Sequence, residues 1–115
     1  NDQRFAMEWG RSRIEEKKFG KERVRNELSA KGVASHIIET TLNSLYNSHP
    51  ERDLAQACVS KKLASLRGLE PEKKTRRLVQ YLQRRGFSAD IIYETLRISA
   101  RELQYDYSPS SLNQD

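Results

Sequence analysis

Residues 20–42 read GKERVRNELSAKGVASHIIETTL, and residues 74–96 read KTRRLVQYLQRRGFSADIIYETL, so one pattern is used twice at a fixed offset. Val24 falls on Leu78, Leu28 on Leu82, Gly32 on Gly86, Val33 on Phe87, Ile37 and Ile38 on Ile91 and Ile92, and Leu42 on Leu96. Each copy carries two apolar residues one helical turn apart, then a basic residue (Lys31 or Arg85), a glycine, an apolar residue and a new apolar run. That order spells helix, stop, helix, because glycine takes the left-handed conformation that ends a helix without a Cβ penalty. A chain that repeats such a unit is confined to repeat architectures. The two spans are expected to superpose, with Gly32 and Gly86 both at helix C-termini.

The chain has 115 residues, enough to bury roughly 60 to 70% of its unfolded surface and hold a modest core. Hydrophobic residues make up 36% and charged residues 32%, a balance that suits helices with one wet face better than a sheet buried on both faces. The expected class is therefore all-α, as tandem three-helix repeats in two units, with the hand of the array left open. Twenty-one Lys and Arg stand against 16 Asp and Glu, a formal charge of +5. This surplus suits an acidic partner such as nucleic acid, and it equally suits a plain soluble surface.

Cys58 is the single cysteine, which rules out an internal disulfide or a multi-cysteine zinc site and fits a reducing, cytoplasmic setting. No stretch approaches the roughly 20 apolar residues that span a bilayer, and none has the order of a signal peptide. A protein with no membrane association is expected. The sequence begins at Asn1, not at a methionine.

In chain order, a first helix is expected from Asp2, as N-cap, to about Lys17, with Phe5, Trp9 and Ile14 on its inner side. Phe19 and Gly20 break it. A second helix runs over 21–31 with Val24 and Leu28 inward, and a third from about Ser35 to Tyr46 buries Ile37 or Ile38, Leu42 and Leu45. Ser48 with Glu51 resembles a capping box for a fourth helix, with Pro50 tolerated in its first turn. That helix, reaching about Leu66, aligns with the first by matching Asp53 to Asp2, Ala57 to Ala6 and Lys62 to Arg11, given a short insertion before Pro71. Its Leu54 and Cys58 face inward, and Lys61 and Lys62 face water. Pro71 opens a fifth helix, Gly86 closes it, and Ser88 caps a sixth that runs to about Leu103. The expected division is 1–48, 49–104 and a flexible tail at 105–115, whose SPSSLNQD is expected to fray.

DQRFA at 2–6, the pair Arg11 and Arg13, FGKERVRNELSAKGV at 19–33 and YLQRRGFSADII at 81–92 together resemble the bacterial RecX family, regulators of the RecA recombinase. The likeness covers nearly the whole chain up to Leu96. Its most specific part is the match at 19–33 joined to a second copy. Members of that family usually have three tandem three-helix units, and this chain resembles the second and third. The resemblance implies a non-enzymatic protein, without cofactor, that lies in the groove of the RecA filament on single-stranded DNA. It implies restraint of strand exchange and ATP hydrolysis, in the setting of DNA recombination, DNA repair and the SOS response. It assigns no role to single residues.

The residues themselves offer a basic face. At about 100° per residue, Leu78 and Leu82 share one side of the fifth helix while Lys73, Arg77 and Arg84 cluster opposite, flanked by Lys74 and Arg76. Together with Arg85 these are six basic residues within 73–85, with no Asp or Glu among them. A solvated helix usually intersperses Glu for support one turn away, so the run suggests a phosphate-bearing or acidic partner. Glu22 and Ala30 of the first copy become Arg76 and Arg84 in the second, a change the repeat does not require. Arg11, Arg13, Lys17 and Lys18 on the first helix form the second candidate patch.

Tyr81 at the edge of the basic side suits boundary packing, with stacking on a base worth ~1 to 3 kcal/mol as the alternative. Phe5 and Trp9 are expected in the core. His36 and His49 stand alone, without ligands at metal spacing. Glu15 and Glu16 are adjacent and diverge on a helix, so they are no catalytic pair. Cys58 has no histidine partner in view and is expected to be a buried, inert thiol. The five glycines are scattered singly, which makes no phosphate loop. Neither a catalytic nor a metal site is expected.

Three readings stand. The first is a monomeric interaction module that binds a RecA filament through its basic side, touching protein, single-stranded DNA or both, with weak sequence-independent affinity for the DNA. The second is a free-standing, sequence-independent DNA-binding helical domain. Helix-turn-helix reading of duplex sequence needs Arg, Asn or Gln on the helices after the glycines; these offer His36, Thr40, Thr41 and Asn43, or Asp90, Tyr93 and Glu94, whose acidic members would repel phosphate, so it is the weaker option. The third is a plain helical scaffold.

Overall fold

The computed structural model describes residues 1–105 and Tyr107, and every regular element among them is helical. Helices α1 (Asp2–Lys17), α2 (Lys21–Ala30) and α3 (Ser35–Ser48) make the first unit. The second is built from α4 (Glu51–Leu63), extended by a 3₁₀ turn at Ala64–Leu66, then α5 (Pro71–Arg85), α6 (Ala89–Ile98) and the short α7 (Ala100–Leu103). The fold is thus all-α, a tandem of three-helix units, drawn out to 49 × 26 × 20 Å. The proposed tail beyond Tyr107 lies outside the described residues. Tyr105 and Tyr107 rest against the core of the second unit.

Each unit buries its own cluster. Ala6, Ile14, Val24, Leu28, Ile38 and Leu42 lead the first, and Ala55, Val59, Leu78, Leu82, Ile92 and Leu96 lead the second. Of the isoleucine pairs, Ile38 and Ile92 are buried while Ile37 and Ile91 are half-exposed. Full burial of one such side chain contributes about 1.5 to 3 kcal/mol, so these residues fix the faces on which the helices meet. Gly10 lies where α1 crosses α3, and any Cβ there would run into Leu45.

Gly32 and Gly86 have φ of +83° and +96° and end α2 and α5. Pro71 occupies the first turn of α5, and Ser88 Oγ accepts from Ile91 N at 3.4 Å to cap α6. Several local expectations give way to longer-range partners. Asn1, not Asp2, caps α1, its Oδ1 accepting from Arg4 N at 3.1 Å. No capping box forms at the start of α4, where Pro50 is the N-cap; Glu51 instead accepts from Lys21 N at 3.1 Å and so caps α2 of the other unit. The fourth helix gives way to the 3₁₀ turn after Leu63, and the sixth stops at Ile98, so that α7 brings Leu103 back onto the core. The alignment of α4 with α1 also shifts. The fully buried alanine matching Ala6 is Ala55, while Ala57 is half-exposed, so Leu54 stands in the place of Phe5 and Cys58 in that of Trp9.

Phe5 departs from the expected core, while Trp9 packs against its edge. Phe5 is 40% exposed and stacks on Trp9 with ring centroids 6.0 Å apart, while Ala6, Gly10 and Ile14 form the inner face of α1. Trp9 is half-buried, its Nε1 donating to Glu27 at 3.0 Å, with the Arg13 guanidinium 4.6 Å and the Lys31 ammonium 4.3 Å from its ring.

The units join where the N-terminus of α2 meets the C-terminus of α5. Gly20 N donates to Arg85 O at 2.8 Å, Glu22 N to Gly86 O at 3.1 Å, and Arg23 Nη1 to Arg84 O at 2.8 Å. These bonds satisfy the orphan groups of two helix ends at once, and opposite ends of the helix dipoles face each other. The approach is close enough that a Cβ on Gly20 would lie 2.6 Å from Gly86 O. Phe19 is buried beside them under the guanidinium groups of Arg23 at 4.0 Å and Arg85 at 5.3 Å. Tyr46 donates its hydroxyl to Phe19 O at 2.6 Å, and burial pushes that phenol well above its usual pKa.

Candidate functional site

Three elements carry the basic residues, and the junction decides which of them meet. On α5, packing of Leu78 and Leu82 at 0% exposure turns Lys73, Arg76, Arg77 and Arg84 outward into solvent. Lys74 lies on the flank of the same helix, at a shallow depression lined by Ser60, Leu63, Ala64, Arg67 and Glu102. Arg85 leaves the outer face altogether. It is half-buried, donates from Nε to the Tyr81 hydroxyl at 3.3 Å and lies 5.2 Å from that ring.

On α1, Arg11 and Lys17 are exposed, and Lys18 follows as an exposed left-handed cap with φ 55°. Arg13 is engaged within the first unit, its Nε donating to Glu27 at 3.0 Å. Where α1 ends, it meets α4 and α5 in a small cleft lined by Glu16, Lys17, Lys18, Ala57, Cys58, Lys61, Tyr81 and Arg85. Lys62 extends this group, its ammonium 5.0 Å from the Tyr81 ring. The fold therefore brings Lys17, Lys18 and Arg85 together across the junction and adds Lys61 and Lys62. The sequence placed that pair on the wet side of α4, but their proximity to α1 and α5 depends on a contact between units that no local pattern encodes. Tyr81 is the boundary residue, held between Lys62 and Arg85.

Pairing separates these cations from the rest. Among the described residues, Arg13 pairs with Glu27 and Arg76 with Glu72 at 3.4 Å. Arg11, Lys17, Lys18, Lys73, Lys74, Arg77, Arg84 and Arg85 have no carboxylate within 4.0 Å there, nor do Lys61 and Lys62. On α2 the situation is reversed. Arg25 is held between Glu22 at 2.5 Å and Glu39 at 2.9 Å, and Arg23 lies 3.6 Å from Glu27. The hydrogen bond from Arg25 holds the Glu39 carboxyl below its usual pKa. A cation already neutralised in this way offers little to an outside anion, whereas the cations of α1, α4 and α5 that pair with no carboxylate among the described residues remain open to one, with Glu16 as the acid in their cleft.

No group of three or more His, Cys, Asp or Glu at metal-binding distance occurs among the described residues. The His49 ring caps α3 at Leu45 O, 3.1 Å away, and His36 is exposed. Glu15 and Glu16 are both exposed. Cys58 is 3% exposed, its Sγ 3.9 Å from Lys18 O, and burial raises its thiol pKa against the opposing pull of Arg85 and Lys18. A water-soluble thiol reagent is therefore expected to label Cys58 only as fast as the chain opens, with full labelling in denaturant. Rapid labelling of the native protein would contradict that burial.

On the helices after the glycines, Thr40 donates to His36 O at 2.9 Å, Thr41 is buried, and Glu94 pairs with Arg52 at 3.0 Å. None of these presents the base-reading groups that duplex recognition needs. Among the described residues, no helix is long and apolar enough to cross a membrane.

A family model of the second three-helix domain of RecX matches residues 1–42, and one of its third three-helix domain matches residues 50–96. Similar curated proteins include the regulatory protein RecX of Streptomyces coelicolor, 31% identical over 102 residues, with 89% of this chain and 54% of that protein covered. The regulatory protein RecX of Pelodictyon phaeoclathratiforme is 36% identical over 98 residues, covering 85% of this chain and 59% of that protein. That of Mycolicibacterium smegmatis is 36% identical over 102 residues, covering 85% and 54%. The chain spans a little over half the length of these relatives. No solved structure gives a significant match.

Proposed function

Since this chain belongs to the RecX family of regulatory proteins, we propose that it is a non-enzymatic regulator that binds the RecA filament on single-stranded DNA and inhibits its recombinase and ATPase activities. It acts as a monomer, in the cytoplasm with that filament. The observation that carries this reading is the set of cations without carboxylate partners among the described residues, from Lys17 and Lys18 through Lys61 and Lys62 to Arg85, Arg77, Arg84 and Lys73. An elongated body 49 Å long with basic residues on α1, α4 and α5 suits a groove rather than a point contact. Its cations meet the phosphate backbone or acidic side chains in the filament, and the hydrogen bonds between α2 and α5 hold the two units together.

Binding to naked single-stranded DNA follows from the same surface and is weaker. If three or four of these cations reach phosphates, log K against log salt should fall with a slope of about −2 to −3, each phosphate contributing about −0.7. Titrations of labelled oligonucleotides at several salt concentrations measure this. Indifference to salt, or strong preference for one duplex sequence, would count against the reading.

A further inference from the structure

The small cleft at the junction takes its walls from both units. Lys17 and Lys18 come from the end of α1, Lys61 from α4, and Tyr81 and Arg85 from α5. Its volume of about 70 Å³ equals about two water molecules at their ~30 Å³ share of the liquid, room for one small anion and too little for a nucleoside. These cations also offset helix ends, since α1, α4 and α5 each carry basic residues in their last turn. Each end supplies about half a negative charge, and Glu16 adds a full one. Lys17, Lys18, Lys61, Arg85 and the neighbouring Lys62 still exceed that compensation by roughly two charges. None of the five has a carboxylate within 4.0 Å among the described residues. Arg85 ties the cleft to the junction: its Nε donates to the Tyr81 hydroxyl at 3.3 Å in the cleft wall, while its carbonyl accepts from Gly20 N at 2.8 Å. The Tyr81 hydroxyl accepts that bond and keeps its own proton to give.

We propose that this cleft seats one phosphate group, held by Lys17 and Lys18 of the first unit and by Lys61, Arg85 and the Tyr81 hydroxyl of the second, so that its occupation braces the units against each other. The site rests on the reading above for the source of the phosphate, a link of the bound single strand. An ionised phosphate oxygen takes charge-assisted hydrogen bonds from both walls at once. It also relieves the repulsion between Lys17 and Lys18 on one side and Lys61 and Arg85 on the other. A ligand that binds the closed junction and not the open one makes opening rarer. The bonds from Gly20 N to Arg85 O and from Glu22 N to Gly86 O therefore hold longer once the phosphate is seated. The protein is stiffer on the strand than off it.

Two rates on the full 115-residue chain test this: hydrogen exchange at the Gly20 and Glu22 amides, and alkylation of Cys58, the single cysteine and a lining residue of the cleft, by uncharged iodoacetamide. They are measured with sodium phosphate, with an oligothymidylate, and with sodium chloride at matched ionic strength. Phosphate and the oligonucleotide are expected to slow both rates severalfold beyond chloride, the oligonucleotide at far lower concentration. Lys17→Gln with Lys61→Gln should abolish that slowing, and Glu16→Gln should strengthen it. All three side chains are exposed, so the fold should survive, which circular dichroism checks. Slowing by phosphate and not by the oligonucleotide supports the seat and gives it to a free phosphate, at the expense of the strand-binding reading. Rates that follow ionic strength alone overturn the proposal. Slowing by the oligonucleotide that persists in the Lys17→Gln, Lys61→Gln variant overturns it too, while leaving strand binding in place.

Discussion

Arg77→Glu combined with Arg84→Glu is expected to remove most of the restraint on RecA ATPase while leaving the protein folded. Both side chains are exposed and neither has a carboxylate partner among the described residues, so their loss frees no buried charge. Arg84 contributes to the junction through its backbone carbonyl, which accepts from Arg23 and is unaffected by the substitution. Stability should therefore shift by no more than about 1 kcal/mol, as for most exposed sites. Binding should suffer far more, because the double change moves the local charge by four units and sets repulsion where a phosphate or carboxylate was attracted. ATPase suppression at equal protein concentration and the melting temperature are measured side by side. Full suppression by a variant that melts like the parent would make α5 a merely solvated surface and shift attention to Lys17, Lys18, Lys61 and Lys62.

Leu82→Ala and Gly86→Ala should do the opposite, lowering stability first. Leu82 is fully buried between helices, and truncating it costs about 2 to 5 kcal/mol from lost burial and the cavity left behind. Gly86→Ala tests the junction, through a comparison that the repeat makes available. Gly32 and Gly86 occupy the same place in the two copies, and both have positive φ, so each alanine costs about 1 to 2 kcal/mol for the left-handed backbone. At Gly32 that is the whole cost, since the space around its Cβ is open. At Gly86 the new Cβ also strikes the backbone and side chain of Arg23, so the bonds to Gly20 and Glu22 must loosen. Gly86→Ala should thus depress the melting temperature clearly more than Gly32→Ala, and raise amide exchange at Gly20 and Glu22. Equal effects would mean that the two units do not meet as described.

The parts of this fold readable in the sequence are those fixed within a turn or two of chain. Val24 and Leu28, Leu78 and Leu82, and the two stop glycines set four helices through spacing alone, and Ser88 and Pro71 mark starts with local chemistry. What misleads is chemistry completed at a distance. Ser48 and Glu51 have the spacing of a capping box, yet Glu51 serves Lys21 of the other unit. Phe5 has the periodicity of a core residue but is exposed, stacked on Trp9 outside the inner face of α1. Helix α4 offers little contrast between its sides, so pairing Ala57 with Ala6 was as legible as pairing Ala55, and burial alone separates the two. The basic run on α5 was visible as residues. Its continuation through Lys61 to Lys17 and Lys18 was not, because Gly20 and Gly86 must touch before those side chains become neighbours.

The most direct measurement is cosedimentation of the protein with RecA filaments assembled on single-stranded DNA, set against the same DNA alone and free RecA alone, at one salt concentration. The expected result is strong retention on the filament, weaker salt-sensitive retention on the DNA and little on free RecA, with the filament retention lost in the Arg77→Glu, Arg84→Glu variant. Equal retention on naked DNA and on the filament would contradict a filament regulator and favour a general DNA-binding domain.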